Sequence, residues 1–315
     1  MNIDSWLVGG GWRQRIQRTA IGILWWCAGF LLFHPAAVHA GPVVVTDDWG
    51  QTIQLPGPAQ RIIPLYGAFA EMLFAIGAGP QVVARTDADQ EPPEVTRLPA
   101  VGTHMRPNVE MIVALKPNLV VQSASRRVAM PEIQRVVEAG IPVAVFSPNS
   151  FDDIFRTMKR LGVLAGHEEA AAQMEQNMRQ RLQDVAARLA ATSVRPRVFF
   201  EVRAEPLSAA GRGSMVQHIL DAVKAENVVE GDKAIVQTDL EMLLLANPDF
   251  YVVQQGPMNR NPVPPGERQH FQRLRAVQHH RVILVDEYLF SRAGPRCVDA
   301  VEQLAAALYP ERFSR

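Results

Sequence analysis

The stretch from about residue 167 to 191 constrains the fold more than any other part of this 315-residue chain. It reads EEAAAQMEQNMRQRLQDVAARLAA, is rich in Ala, Gln, Glu and Arg, and contains neither glycine nor proline. Because these residues favour helix and nothing interrupts them, a single long helix is predicted, ending before Arg195-Pro196. Lying between two other series of elements, such a helix is typical of a rigid connector between lobes.

Short apolar runs alternate with amphipathic segments on both sides of this helix, which predicts parallel sheets covered by helices on both faces. The predicted strands are 61–66, 82–85, 119–124 and 143–148 in the first series and 197–203, 251–255 and 282–286 in the second. The chain is therefore expected to be an α/β protein with two three-layer lobes joined by one long rigid helix. The expected ranges are 1–40 for a leader, 41–149 for the N-terminal lobe, 150–194 for the connector and 195–315 for the C-terminal lobe.

Residues 1–40 have the pattern of a secretory signal peptide. Three arginines precede the apolar run AIGILWWCAGFLLF, and Val38-His39-Ala40 supplies a small-residue cleavage pattern. The apolar run is shorter than the roughly 20 residues of a membrane span. Cleavage after Ala40 and a periplasmic location are therefore expected, with an uncleaved anchor as the alternative. Cys27 lies inside the apolar run, so lipidation there is not expected, and Cys297 is predicted to be a small buried side chain.

Charge balance and motifs argue against nucleic-acid binding and catalysis. Lys+Arg and Asp+Glu number 32 each, so no polyanionic partner is expected. The segment Gly211-Arg212-Gly213-Ser214 has the look of a glycine-flanked nucleophile, but it follows a predicted loop instead of a strand. The histidines do not show the spacing of a metal site. We expect no enzymatic activity, no resident cofactor and no bare transition-metal site.

Three segments, in order, resemble solute-binding proteins for ferric siderophores, haem and cobalamin. They are VVVTDDWGQTIQLPGPAQRII (43–63), VGTHMRPNVEMIVALKPNLVV (101–121) and FSRAGPR (290–296). The resemblance covers essentially all of the chain after the leader. It implies two lobes with a ligand cleft between them, and an ABC permease and its ATPase as partners of a monomer.

The rule that ligands bind beyond the carboxyl ends of sheet strands selects candidate contacts in the cleft. These candidates are Tyr66, Ser123, Arg126, Arg203, Tyr288 and Arg292, and Arg106 and Arg212 lie in or beside predicted cleft loops. The resemblance adds His104, which lies in a loop just before a helix, where the family commonly places a ligand-contacting side chain. Arginine recognises carboxylate and phosphate through a planar fork, so Arg203 and Arg292 are the first candidates for contacts with an anionic ligand. A surface charge or a packing residue is the alternative for each arginine, and a half-buried ring is the alternative for each tyrosine.

The expected ligand is a ferric siderophore or related metal chelate, so that the ligand itself carries a metal, expected to be iron. Cobalamin-binding relatives use an aromatic cage, whereas this chain has His104 and Ser123 at the matching positions. Haem-type relatives carry a tyrosine where this chain has Thr103. Haem, cobalamin or an oxyanion on the same fold, or a periplasmic sensor or enzyme, are the alternatives.

The resemblance also implies one carboxylate on the outer surface of each lobe that docks onto arginines of the permease. Glu71 matches that position in the N-terminal lobe and Asp221 matches it in the C-terminal lobe. Glu226 is a further candidate, because Ala225-Glu226-Asn227 replaces the Gly-Gly-Asn of the family. An ordinary exposed helix carboxylate is the alternative for each.

Overall fold

The computed structural model describes residues 41–124 and 130–313. The predicted signal peptide and Arg126 lie outside these residues. Within the described ranges, no helix is both long enough and apolar enough to cross a membrane.

The N-terminal lobe is built on a small parallel sheet. Its strands are β1 (Val43–Thr46), β2 (Thr52–Leu55), β3 (Ile62–Pro64), β4 (Gly102–Thr103), β5 (Arg106–Pro107), β6 (Leu119–Ser123) and β7 (Val143–Phe146), and its helices are α1 (Gly67–Ala75), α2 (Val109–Ala114) and α3 (Met130–Glu138). Strands β3, β6 and β7 pair in that order, all parallel. Every residue of these three strands is buried, which is why they appear in the sequence as continuous apolar runs. The predicted strand at 82–85 forms only isolated bridges, one of them between Val82 and Ile62.

Two helices follow, α4 (Phe151–Ala165) and α5 (Glu168–Arg188). Ser150 caps α4 by accepting a hydrogen bond from the Asp153 amide at 3.1 Å, and Gly166 ends it in the left-handed conformation. The buried residues of α5 are Ala171, Met178 and Val185, a spacing of seven that places them on one stripe of the helix. The predicted long helix is thus present, packed along one side against α4.

The C-terminal lobe has a larger, mixed sheet. Its strands are β8 (Arg197–Arg203), β9 (Ser208–Ala210), β10 (Glu226–Asn227), β11 (Ile235–Gln237), β12 (Phe250–Gln255) and β13 (Val282–Asp286), and its helices are α6 (Met215–Ala222), α7 (Leu240–Ala246), α8 (Arg275–Gln278), α9 (Glu287–Phe290), α10 (Cys297–Leu308) and α11 (Pro310–Phe313). The order β11-β9-β8-β12-β13 is parallel from β8 to β13, whereas β9 and β11 pair antiparallel. The sequence did not predict β9 or β11.

One large apolar core runs through both lobes. It joins residues of α1 and β3 to residues of α5, α6 and α10, so the lobes share a packed interior on the side of the long helix. Smaller cores fill the opposite face of each sheet. This is the predicted three-layer arrangement. Cys297 is fully buried in the shared core, and burial raises the pKa of its thiol to about 12, as expected for a packing cysteine.

Candidate ligand cleft

A cavity of about 240 Å³ lies between the lobes, beyond the carboxyl ends of the parallel strands. The N-terminal lobe contributes the end of β6 and residues that follow β3 and β7, and the C-terminal lobe contributes the end of β8, the start of α6 and the segment after α9. The lining consists of Tyr66, Ser123, Ser147, Pro148, Asn149, Val202, Ala210, Gly213, Ser214, Met215, Val216, Ala234, Ile235, Met258, Ser291 and Ala293.

The polar groups of this lining are neutral. They are the hydroxyls of one tyrosine and four serines and the amide of Asn149, and two methionines and several aliphatic side chains make up much of the rest. The protein holds some of these hydroxyls in place: Ser214 donates to the Gly211 carbonyl at 2.7 Å, and Ser291 donates to Gln254 Oε1 at 2.7 Å. Such a surface can offer oriented hydrogen bonds and apolar contact to a ligand.

Two of the predicted contacts, Tyr66 and Ser123, line the cavity. His104 lies next to them, with its ring centroid 6.4 Å from that of Tyr66 in an edge-on arrangement. Arg106 is exposed on β5, where its backbone amide donates to Thr103. The structure therefore brings together Tyr66, which follows β3, and Ser123, which ends β6, with His104 beside them.

The C-terminal arginines lie elsewhere than predicted. Arg203 does not line the interlobe cavity but a separate one of about 620 Å³, together with Ser208, Lys233 and Gln237. Its Nε is buried and has no hydrogen-bond partner among the described residues. Arg212 is exposed, and its backbone amide donates to the Gly231 carbonyl at 2.8 Å.

Arg292 is turned away from the cavity, although Ser291 and Ala293 on either side of it line the wall. Its guanidinium lies over the ring of Tyr288, 4.0 Å from the centroid, and Nη2 donates to the Ala88 carbonyl at 3.2 Å. Arg203 and Arg292 are thus not arranged as a pair that clasps a ligand in this conformation.

Glu71, predicted to be an exposed docking residue, is only 4% exposed. Its Oε1 lies 3.7 Å from Arg292 Nη1 without a hydrogen bond. Burial raises the pKa of this carboxyl from 4.5 to about 7, even though Arg292 and Arg296 pull it down, so the cost of desolvation exceeds the attraction of the two arginines. In this conformation Glu71 cannot present its carboxylate to a permease.

The other two docking candidates are exposed. Asp221, near the end of α6, accepts a hydrogen bond from Gln217 at 2.9 Å, and Glu226 accepts one from Arg197 at 3.3 Å. Both keep enough exposure to meet a partner.

A larger cavity, about 460 Å³, lies on the side of the long helix. Its lining comes from α1, the loop at 91–94, α5 and the start of α10, and includes Glu71, Met178 and Arg296. It lies away from the strand ends that line the first cavity, so the smaller cavity is the better candidate for the ligand site.

Sequence reasoning missed part of the lining. Ser147, Pro148 and Asn149 follow β7 directly, so the strand-end rule applied to that strand would have found them. Ser214 and Met215 begin a helix, and Ile235 belongs to a strand that the sequence did not predict. For Met258, which lies in an irregular loop, we find no signal in the sequence.

The two lobes, the long helix and the cleft at the strand ends define a two-lobed solute-binding protein. The periplasmic binding protein family matches residues 62–289, and the chain belongs to this family. The predicted family is therefore confirmed.

Three comparisons show how the chain relates to known proteins. It is 31% identical over 277 residues to the uncharacterized ABC transporter substrate-binding lipoprotein YvrC of Bacillus subtilis, covering 86% of this chain and 87% of that protein. It is 25% identical over 255 residues to a vitamin B12-binding protein of Vibrio cholerae, covering 80% and 90%. Its fold matches a structure titled as an ABC-type Fe³⁺-hydroxamate transport system from Saccharomonospora viridis, with a TM-score of 0.68, 23% identity and coverage of 87% and 99%.

Membership of this family confirms the prediction of a binding protein and not an enzyme. The family and the lipoprotein relative imply an extracytoplasmic location. The Bacillus subtilis relative is named as a substrate-binding lipoprotein of an ABC transporter, which implies a permease and an ATPase as partners.

Proposed function

We propose that this protein captures a ferric siderophore or a related metal chelate in the cleft between its lobes and delivers it to an ABC importer. The observation that carries the proposal is the cavity at the strand ends, with its hydroxyl, amide and thioether lining. A chelate already surrounds its metal with donor atoms. The cleft therefore needs to supply only hydrogen bonds to the outer oxygens and nitrogens, and apolar contact to the carbon skeleton.

The name of the Saccharomonospora viridis protein supports an iron chelate of the hydroxamate type. Three hydroxamates cancel the charge of Fe³⁺, so that the complex carries no net charge at the metal centre. A neutral lining suits such a ligand better than it suits a highly charged one, since a buried charge without a partner is costly. We therefore propose a ligand without net charge at its metal centre, in place of the anionic ligand that the arginines predicted from the sequence.

Cobalamin is the second candidate, and the observation in its favour is the similarity to the vitamin B12-binding protein of Vibrio cholerae. Cobalamin also brings its own metal and presents many amide groups, which the same serines and Asn149 could meet. The two candidates therefore differ in the shape and size of the ligand more than in the chemistry required of the lining.

The test is direct binding by the mature protein. Protein purified from its native compartment is examined by mass spectrometry and visible absorbance. Protein freed of ligand is then titrated calorimetrically with ferrichrome, cyanocobalamin, haemin and molybdate. We expect ferrichrome to bind most tightly. Tighter binding of cyanocobalamin would favour the second candidate, and binding of none of the four would refute a metal-chelate ligand of these types.

A substitution in the wall locates the site. Ile235 lines the cavity and is 41% exposed, so Ile235→Trp should fill the cleft without disturbing the core. We expect the affinity to fall at least about tenfold, or about 1.4 kcal/mol. Val282→Trp is the matched control, because Val282 is 36% exposed on β13 and lies outside the cavity. Equal affinities of the two variants would place the ligand elsewhere.

A further inference from the structure

We infer that Arg292 is a positioning residue that fastens the C-terminal lobe to the N-terminal lobe and so sets the geometry of the ligand cleft. The inference rests on the proposed function in that it takes the cleft as the ligand site. The sequence predicted that Arg292 contacts the ligand; the inference gives it a positioning role instead.

The contacts of Arg292 cross from one lobe to the other. The residue belongs to the segment after α9, and its side chain is 12% exposed. Nη2 donates to the carbonyl of Ala88, and Nη1 lies 3.7 Å from Glu71 on α1. Asp89 is close enough for the charge of Arg292 to lower the pKa of its carboxyl, although burial raises it overall. One guanidinium thus meets three groups of the N-terminal lobe.

The N-terminal lobe has room for the guanidinium only because residue 67 is a glycine. A Cβ on Gly67 would lie 2.2 Å from Arg292 Nη1 and 2.7 Å from Asp89 Oδ1. Distances this short are not tolerated, so any side chain at this position would displace the arginine or the loop that holds Asp89. The start of α1 is therefore shaped around a side chain from the other lobe.

The same segment also forms part of the ligand cavity. Ser291 and Ala293 line its wall, while Arg292 between them points away to the N-terminal lobe. Tyr288 holds the guanidinium from the side of the C-terminal lobe, with the charge over its ring. We therefore expect a change in the contacts of Arg292 to move these two residues of the cavity wall.

The experiment measures the distance between the lobes of the full mature chain without ligand. Spin labels are attached to cysteines introduced by Val137→Cys on α3 and Leu245→Cys on α7. In the wild type, Val137 is 45% exposed and Leu245 is 82% exposed. Cys297 can stay, because it is fully buried and burial raises the pKa of its thiol to about 12. Pulsed electron paramagnetic resonance then gives the distribution of distances.

We expect Arg292→Ala to broaden the distribution or to shift it by more than about 2 Å, the scale of a domain rearrangement. Arg292→Lys, which keeps the charge, should restore the wild-type distribution in part, whereas Arg292→Met, which keeps the length, should not. Arg275→Ala is the control, because the ion pair of Arg275 with Asp249 at 2.8 Å lies within the C-terminal lobe. Its distribution should match that of the wild type.

An unchanged distribution in Arg292→Ala would overturn the inference, and so would full restoration by Arg292→Met. If Arg292→Ala lost affinity for ferrichrome while the distribution stayed unchanged, Arg292 would be a ligand contact. The distances are measured without ligand. A wild-type protein that bound none of the four probes would therefore refute the proposed ligand and leave this result standing.

Discussion

Glu71 gives the sharpest quantitative test, because a buried carboxyl that titrates near neutral pH must leave a trace in the stability of the protein. Its pKa is raised from 4.5 to about 7 by burial, against the pull of Arg292 and Arg296 and with the push of Glu91 and Asp89. One pKa unit corresponds to about 1.4 kcal/mol, so this displacement corresponds to about 3 kcal/mol.

The sign follows from which state holds the proton. Below pH 4.5 the carboxyl is protonated in both the folded and the unfolded chain. Between pH 4.5 and 7 the unfolded chain has lost the proton while the folded chain still holds it, so the free energy of unfolding falls as the pH rises. Above pH 7 both states are charged, and the loss of about 3 kcal/mol is complete.

Glu71→Gln removes this titration and resembles the protonated form. We expect the free energy of unfolding of the variant, relative to the wild type, to rise by about 3 kcal/mol between pH 4.5 and 8. Asp89 and Glu287, whose pKa values burial also raises, are present in both proteins, so their own contributions largely cancel in the comparison. The assay is urea unfolding followed by far-ultraviolet circular dichroism at five pH values across this window.

The matched control is Glu94→Gln, because Glu94 lines the same cavity as Glu71 but is exposed. Its difference from the wild type should stay nearly flat with pH. The reasoning would be refuted by a flat difference for Glu71→Gln, or by one that falls as the pH rises. A flat difference would mean that the arginines compensate fully for the burial of the carboxylate, and a falling one would mean that they more than compensate for it.

Two further predictions concern a buried ion pair and the exposed docking carboxylates. Arg268→Ala should lower the free energy of unfolding by about 3–5 kcal/mol, because it leaves the fully buried Glu201 without the guanidinium that binds both of its oxygens. Arg275→Ala, the control, breaks a more exposed ion pair and should lower it by only about 0–1 kcal/mol. Urea titrations measure both values. Charge reversal at Asp221 and Glu226 together should slow uptake into proteoliposomes that contain the cognate importer. Calorimetry should show an unchanged ligand affinity, because both residues are exposed and lie outside the cavity lining. Uptake at the wild-type rate would contradict their docking role.

The architecture could be predicted because it follows from patterns that local physics controls. The long helix contains no residue that breaks it, and the buried strands are continuous apolar runs between turn residues. The strands β9 and β11 were missed because they have only three residues each and pair antiparallel beside a parallel sheet, so neither length nor alternation marks them.

The burial of Glu71 could have been expected. The segment GAFAEMLFA is apolar on every side of the helix, and a helix that is apolar all round is buried. The resemblance implied a docking carboxylate at this position and therefore predicted the opposite. The direction in which the Arg292 side chain points could not be predicted. Arg292 lies in an irregular segment, and no helical or strand periodicity in the sequence determines which way a side chain there points.

The segment FSRAGPR carried the resemblance to the family at the sequence level, and its contacts suggest why its residue types matter. Ser291 and Ala293 are small and face the cavity, Arg292 reaches Ala88, and Arg296 lies 3.8 Å from Glu91. Two arginines four positions apart therefore hold one loop of the N-terminal lobe, while the small residues beside the first leave space for a ligand. Because a single segment both joins the lobes and lines the cleft, ligand affinity and lobe geometry should change together when either arginine is replaced. A variant that changed the ligand affinity without changing the lobe geometry, or the reverse, would show that the segment performs these two roles independently.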